Sequence, residues 1–596
     1  MDDLLMEPLD AYNNVYKTAF AENAKEMIDE LIRNSGMDVE GNKKAAKEYR
    51  HVSDRLNKQN KKISKLKGIR GLFIFLIVAA AIDLVVSIVY QVNSGVSASA
   101  GMIVNWILAP LIIVGSVLAI ALWLQKKIKH ASEIADKLQA KADEKLALAK
   151  SLLAPLLPLF DWGMTAKLIT KTVPEWIMDK NYDMRRFAYM RDKFGFTSNL
   201  SEDESTVFLQ SGEVLGNPFL LERRLVMKMG SETYSGSITI HWTTTHTDSE
   251  GHVHTDHHSQ VLTATVTKPK PFYYTNTGFR YANEAAPDLS FSHKPSHAER
   301  YSGKKLERKV NSNLKKLRKK ASKSIESGGN FTELGDEKFD ALFSATDRDH
   351  EVQFRLLFTP LARRNMLRLM CDAENYGDDF TFYKRRCINT VYPEHMQDFD
   401  YTSSPDRYRD YYDVDMLREA FLAYNNEYFR SVYFGFAPLF AIPLYRSMKP
   451  HEYIYGEERG NYTEYEGEVL ANALGEKCFR PSDAITHSIL KVSLHSKEDK
   501  TDHYSVTAYA YRGEARVDFV SVWGGDGRMH SVPVHWTEYI PVARTTGMAM
   551  QAMDVTEEAY RKNDAEGEIA KAANRSFPEG TYTFQRGLFA FLENLK

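Results

Sequence analysis

Two apolar runs constrain this chain more than any other feature. GLFIFLIVAAAIDLVVSIVYQV covers 71–92 and MIVNWILAPLIIVGSVLAIALWL covers 102–124. Each is long enough to cross a hydrocarbon core of ~30 Å at ~1.5 Å per residue. Backbone in lipid must satisfy its own hydrogen bonds, so both runs are expected as helices. Both are apolar all round, unlike the one-sided stripe of a helix on a soluble core. The flanks set an orientation. Lys58, Lys61, Lys62, Lys65, Lys67 and Arg70 precede the first run, and Lys126, Lys127 and Lys129 follow the second. The link 93–101 carries no charge. Positive flanks stay on the cytoplasmic side, which predicts a multi-pass inner-membrane or plasma-membrane protein with both termini cytoplasmic. Tyr90, Trp106 and Trp123 lie near the run ends, where aromatic side chains anchor at the interface. The first apolar run starts too late, after a charged segment, for a cleavable signal peptide.

Asp83 breaks the apolar pattern. An intramembrane carboxylate is costly and marks either a structural bond or an ion or proton path. Counted back from the link, its depth matches Pro110 and Leu111. Asn105 and Ser116 fall off that level, so no partner within the hairpin is expected. A bond across an oligomer interface remains open, and with it an oligomeric channel-like protein dependent on Asp83.

The flanking sequence extends the hairpin. Ala45, Tyr49, Val52, Leu56, Gln59, Ile63 and Leu66 fall at 4-3 spacing before the first run. Ile128, Ala131, Ala135, Leu138, Ala142, Lys145 and Ala149 do the same after the second. Heptad seams leaving one face of the membrane predict an antiparallel coiled-coil stalk; two separate amphipathic helices on the soluble portion are the alternative. A helix is also expected within the first 34 residues.

Beyond the stalk, Pro155 and Pro158 end the helix and a soluble portion begins. Short helical patterns run from Trp162 to Arg191. β texture follows from Ser205, in runs of β-branched and aromatic residues separated by turn residues, and reads as an antiparallel meander ending at Pro269. A basic helix spans 299–325. Strands are expected at 341–345, 352–358 and 380–388, and helices at 360–371 and 413–430. SVYFGFAPLFAIPLYRS is too short for a third span and is broken by Pro438 and Pro443, so it reads as a buried irregular strand. A second β region starts at Ser488 and turns at Gly524-Gly525-Asp526-Gly527. A polar helix at 556–574 and an amphipathic tail at 587–595 close the chain.

The expected fold class is α+β: a two-helix transmembrane hairpin extended by the stalk, with a cytoplasmic antiparallel β-meander and a mixed α/β region. The segments are 1–41, helical; 42–154, stalk and hairpin; 155–298, helical lead-in and meander; 299–480, basic helix and α+β region; and 481–596, C-terminal meander and helical tail. The near-balanced net charge of −2 gives no global field favouring nucleic acid. Cys371, Cys387 and Cys478 are sparse, odd in number and without metal spacing, which fits a reducing compartment.

The densest chemical signal is HWTTTHTDSEGHVHTDHHSQ, 241–260. A three-residue turn after Asp248 sets His246 opposite His254 and Trp242 opposite His258. Opposed Cβ atoms lie ~5 Å apart, so His246, His254, His252 and His258 are candidate ligands for a divalent metal. The bland reading is a solvated threonine-rich hairpin; clustered protonation is a third. No cofactor is otherwise implied. In the basic helix, Leu306, Val310, Leu314, Leu317 and Ala321 form an apolar stripe. Lys304, Lys305, Arg308, Lys315, Lys316 and Lys319 lie outside it, as a solvated face or a contact for anionic membrane lipid. No nucleic-acid partner is expected, since no stacking aromatics or recognised module accompany the charge. No phosphate-binding loop, serine-nucleophile elbow, zinc-protease helix or dinucleotide fingerprint is present. The acidic pairs at Asp378-Asp379 and within 347–351 read as loop surface.

LGDEKFDALFSATDRDHEVQFRLLFTPLARRNMLRL, 334–369, resembles the core motif of an uncharacterised bacterial family of membrane-anchored proteins. Phe339, Phe343, Asp347, Glu351, Arg355, Thr359, Pro360 and Met366 stand at matching places, whereas Gln353 and Phe354 depart from the pattern. The resemblance covers under a tenth of the chain. It implies a bacterial membrane protein and no catalytic residues. The expected function is binding or scaffolding a protein partner or a second copy at the inner membrane face, with a membrane-tethered metal-dependent enzyme as the alternative.

Overall fold

The computed structural model describes residues 7–94, 100–179, 184–196, 201–247, 250, 252–329, 331–446, 464–498, 501–552, 582–585 and 588–593. The chain forms two units. One comprises 28–160 and 405–421; the other comprises 1–27, 161–404 and 422–596. The expected polar helix at 556–574 lies outside the described residues.

Helices α1 (Pro8–Ala11) and α2 (Lys17–Ser35) open the chain. The helical unit is dominated by α3 (Val39–Ser94), an unbroken helix of 56 residues. It is followed by α4 (Ala100–Leu118), a π-helical turn at Ala119–Leu124, and α5 (Gln125–Leu153). α3 pairs antiparallel with α4 and α5. Small residues make this close approach possible: Ala45, Ala46, Ala131, Ala135, Ala142 and Ala149 are buried along the seam. Polar groups fix its register. The Gln59 amide donates to the Ala131 carbonyl at 3.0 Å, and Lys145 pairs with Glu48 at 2.8 Å. Buried Asn42 donates to the carbonyls of Ala149 and Tyr412 and accepts from the Val414 N–H, satisfying its whole amide end.

The larger unit is built on two antiparallel sheets. After α6 (Met164–Thr172), β1 (Trp176–Met178) and α7 (Met184–Phe194) come β2 (Glu204–Val214), β3 (Asn217–Thr247), β4 (Val253–Ala282) and β5 (Ser290–His293). Then follow α8 (Gly303–Glu326), α9 (Glu337–Phe343), α10 (Glu351–Leu357), α11 (Pro360–Met370), β6 (Phe380–Arg385), β7 (Ile388–Pro393) and α12 (Val414–Phe440). The chain closes through α13 (Glu464–Leu474), α14 (Glu476–Phe479), β8 (Ile489–Glu498), β9 (Thr501–Trp523), β10 (Met529–Ala552), β11 (Tyr582–Gln585) and β12 (Leu588–Glu593). The sheet orders are β1-β2-β3-β4-β7-β6-β5 and β11-β12-β10-β9-β8.

Several local expectations are corrected. Neither 341–345 nor 352–358 is a strand: 341–343 end helix α9 and 352–357 lie in α10. Asp336 and His350 cap the first turns by accepting from the N–H groups three residues on, and Phe339 with Phe343 and Phe354 with Phe358 pack as helical i,i+4 pairs. The stretch 431–440 continues α12 rather than forming a strand. Pro438 falls in the last turn of that helix, and Phe436 packs on Phe219, Phe279 and Tyr281. The region 380–388 is a hairpin, β6 turning into β7, with Arg386 at φ 53° in the turn. The meander does not end at Pro269; β4 runs on to Ala282. Pro269 and Pro271 are two residues apart, so both missing N–H groups fall on one edge, which along this stretch pairs with no described strand. The tail at 588–593 is a strand, β12, paired with β10 and β11, rather than a helix.

Candidate functional site

The β3–β4 hairpin outruns its sheet. Register is continuous from Phe219↔Tyr281 to Thr247↔Val253, but β2 pairs only as far as Val226 and β7 only with 279–282. β9 and β10 likewise continue from Thr501↔Gln551 to Trp523↔Met529, beyond β8. A lone two-stranded ribbon is marginal in water. Here the two ribbons cover each other: Ile240, Leu262 and Ala264 pack on Val532 and Val534. Lys268 bonds Asp518 at 2.6 Å beneath the Trp536 ring, and the Gly525 N–H donates to Gln260 at 2.7 Å.

This arm carries the histidines. The expected register holds: His246 faces His254 and Trp242 faces His258. The His246 and His254 rings stack with centroids 5.5 Å apart, and His246 Nδ1 lies 3.2 Å from Asp256. His258 stacks on Trp242 and meets Thr244 through Nε2 at 2.7 Å. His252 lies beyond this pair, next to the turn. The face is thus occupied by ring stacking and hydroxyl contacts. Among the described residues no group of three or more His, Cys, Asp or Glu is arranged to hold a metal ion.

The two outer faces of the arm differ. On β3–β4 the outward residues are mostly hydroxyls, including Thr233, Ser235, Ser237, Thr263, Thr265 and Thr267. On β9–β10 they include Phe519, Trp523 and Met529, which are 69, 65 and 55% exposed. Trp523 and Met529 are directly paired, and Phe519 sits opposite Pro533. The exposed Ser521–Ser531 pair separates these two apolar pairs on the same face.

Asp83 has a partner after all. The Asn105 amide donates to its carboxylate at 2.7 Å, and one turn on, the Trp106 indole donates to Ser87 at 3.2 Å. The symmetric count from the link failed because α3 and α4 are offset, bringing Asn105 to the level of Asp83. The basic helix α8 buries Leu314, Leu317 and Ala321. Lys304, Lys305, Arg308, Lys315, Lys316 and Lys319 all stay at the surface, without an ion pair to a described residue.

A further cluster was not legible in the sequence. Asp378-Asp379 is buried, not loop surface. Asp378 accepts from His293 Nε2 at 2.8 Å and from the N–H and hydroxyl of Ser296, while His293 Nδ1 meets the Phe343 carbonyl at 2.6 Å. Asp379 holds His395 in the same way: Nδ1 at 2.6 Å, with Nε2 on the Ser431 carbonyl at 3.0 Å. The serine hydroxyl bonds the carboxylate, not an imidazole, so this is no Ser-His-Asp relay. It fixes the β5 end and the loop after it. That loop forms one wall of a cavity of about 560 Å³, lined also by α8 and by the α9 terminus.

In comparisons with known proteins, no family model, no curated protein and no solved structure matches this chain. What the site can do rests on its own geometry.

Proposed function

We propose that the chain is an integral protein of a bacterial inner membrane, crossing it as a helical hairpin and binding a protein partner with its cytoplasmic portion. One observation carries the membrane reading. Among the described residues, the two helices long and apolar enough to span are bare: 0% of the apolar window of α3 and 17% of that of the second helix are buried. Water would make that exposure costly at ~25 cal/mol per Å², whereas lipid makes it free. Lysine flanks on both sides and the uncharged link support cytoplasmic termini. The 4-3 seams support reading the α3–α5 pair as a coiled-coil stalk, and the motif resemblance at 334–369 supports the bacterial assignment. Exposed Phe519, Trp523 and Met529 on one face of the arm support partner binding, since aromatic side chains and methionine are enriched at protein interfaces.

Two measurements test this. The protein should stay with membranes through alkaline carbonate washing. A membrane-impermeant maleimide should leave Cys371, Cys387 and Cys478 unlabelled in intact cells and label them after lysis. Labelling from outside would overturn the orientation, and release by carbonate would overturn the membrane reading itself.

A further inference from the structure

The cavity beside the buried Asp378 cluster has walls from three separate chain segments, all within the larger unit. Ser292 lies in β5 and 294–297 follow it, Lys309 and Asn313 come from α8, and 341–344 with Thr346 and Asp347 come from the end of α9 and the loop after it. Its charge is predominantly basic. Lys294 is exposed at the wall and makes no ion pair with a described residue. Lys309 is held by the Ser296 carbonyl and sits 4.1 Å over the Tyr301 ring, again with no carboxylate partner described. One ammonium hydrogen serves that carbonyl, so two remain for a ligand. Lys320 stands on the rim, bonded to Thr346 at 2.9 Å. The one acidic side chain in the wall, Asp347, has both oxygens occupied by the N–H and hydroxyl of Ser292, at 2.9 and 2.5 Å.

The backbone adds donors. α9 ends at Phe343, and Ser344 follows in the left-handed region at φ 48°, ψ 36°. A right-handed residue followed by a left-handed one turns successive N–H groups toward a common concavity, a recurrent anion cradle. His297, across the cavity, is also left-handed at φ 49°. Two non-glycine residues in that region in one cavity wall are a strain that surrounding structure must hold. The Asp378 bonds to Ser296 and His293 do so here.

We propose that this cavity binds a phosphate-bearing anion, with Lys294 and Lys309 as cations; the neutral donors are the Ser344 N–H and the second amide hydrogen of Asn313, whose first serves the Ala341 carbonyl at 3.1 Å. Two unpaired ammonium groups match a phosphate monoester, of charge about −1.5 to −2, better than a singly charged carboxylate. The cavity exceeds a bare phosphate, so the anion enters with an attached group. A lipid headgroup and a free phosphate ester share this chemistry.

The test uses the full chain purified in neutral detergent. Isothermal titration is run with inorganic phosphate, with glycerol 3-phosphate, and with micelles doped with phosphatidic acid. Wild type is expected to bind at least one probe saturably. Lys294→Gln with Lys309→Gln should weaken that binding about ten-fold or more, the scale of one lost charge-assisted bond. Lys315→Gln with Lys319→Gln, on α8 but outside the cavity, should change it less than about two-fold. Lys294→Gln alone, at an exposed position, keeps the test decisive if the double variant fails to fold. Saturation by phosphate and glycerol 3-phosphate alike assigns a soluble ester, and saturation by doped micelles alone assigns a headgroup. No saturable binding of any probe, or equal loss in the two double variants, overturns the proposal.

Discussion

Lys384 shows how far a single residue can be read from its surroundings. It is buried on β6, and its ammonium donates to the carbonyls of Ala285 at 2.9 Å and Arg386 at 2.5 Å. No described carboxylate pairs with it. Burial pushes its pKa down from 10.5 to about 7, against a small opposing pull from Cys387. Glu222 is the contrasting case: burial alone would raise it, but Arg280 at 2.8 Å and Arg224 at 2.9 Å outweigh burial and hold it below the usual range. For Lys384 the sign is clear. Between about pH 7 and 10.5 the unfolded chain binds more protons, so stability rises with pH through that window. The gain is on the order of 1–4 kcal/mol. Lys384→Met should flatten this rise; thermal unfolding at stepped pH in detergent reads it, and an unchanged slope would falsify the assignment. None of this was visible in the sequence, where Lys384 is one lysine in a strand. Asp378 was missed for the same reason: its partner His293 lies 85 residues away. Asp83 and the histidine cluster were noticed because a charge within an apolar run, and six histidines close together, are anomalies along the chain itself.

At the scale of elements, periodicity served well where it was long and poorly where it was short. The apolar runs and the heptad seams extend over many residues and form the expected helices, whereas β runs read as separate strands join into the single strands β3 and β9. In 341–345 and 352–358 a few closely spaced phenylalanines fit a strand and a helix equally well. Caps decided it, through Asp336 and His350. The helical hairpin yields the sharpest element-level prediction. Asn105→Leu strands the Asp83 carboxylate among apolar neighbours and should lower the thermal stability of the purified protein by ~1–2 kcal/mol. Asp83→Asn keeps a neutral hydrogen bond to Asn105 and should be tolerated. The double change Asp83→Leu with Asn105→Leu should recover most of the loss, since neither polar group is left alone. If Asn105→Leu behaves like wild type, the contact is incidental.

For the molecule as a whole, the telling step is how two sheets far apart in sequence become one body. Each sheet contributes a ribbon that is too long for it, and the ribbons are stable only against one another. The sequence reads as two separate β regions, and nothing in it joins them. What joins them is a close backbone approach at one point. A Cβ on Gly236 would overlap the Pro533 carbonyl oxygen and press on Val534. No rotamer change relieves a clash with backbone, so Gly236→Val must push the ribbons apart at a cost of ~1–3 kcal/mol. The loss should be confined to the arm. Amide exchange should quicken across 231–247 and 513–540, while 219–226, flanked on both sides by strands, stays protected. Ser235→Val, on the outer face of the same strand, adds a β-compatible side chain at an exposed site and should leave exchange unchanged. Should both variants exchange at the wild-type rate, the ribbons do not depend on each other, and the arm is two independent hairpins.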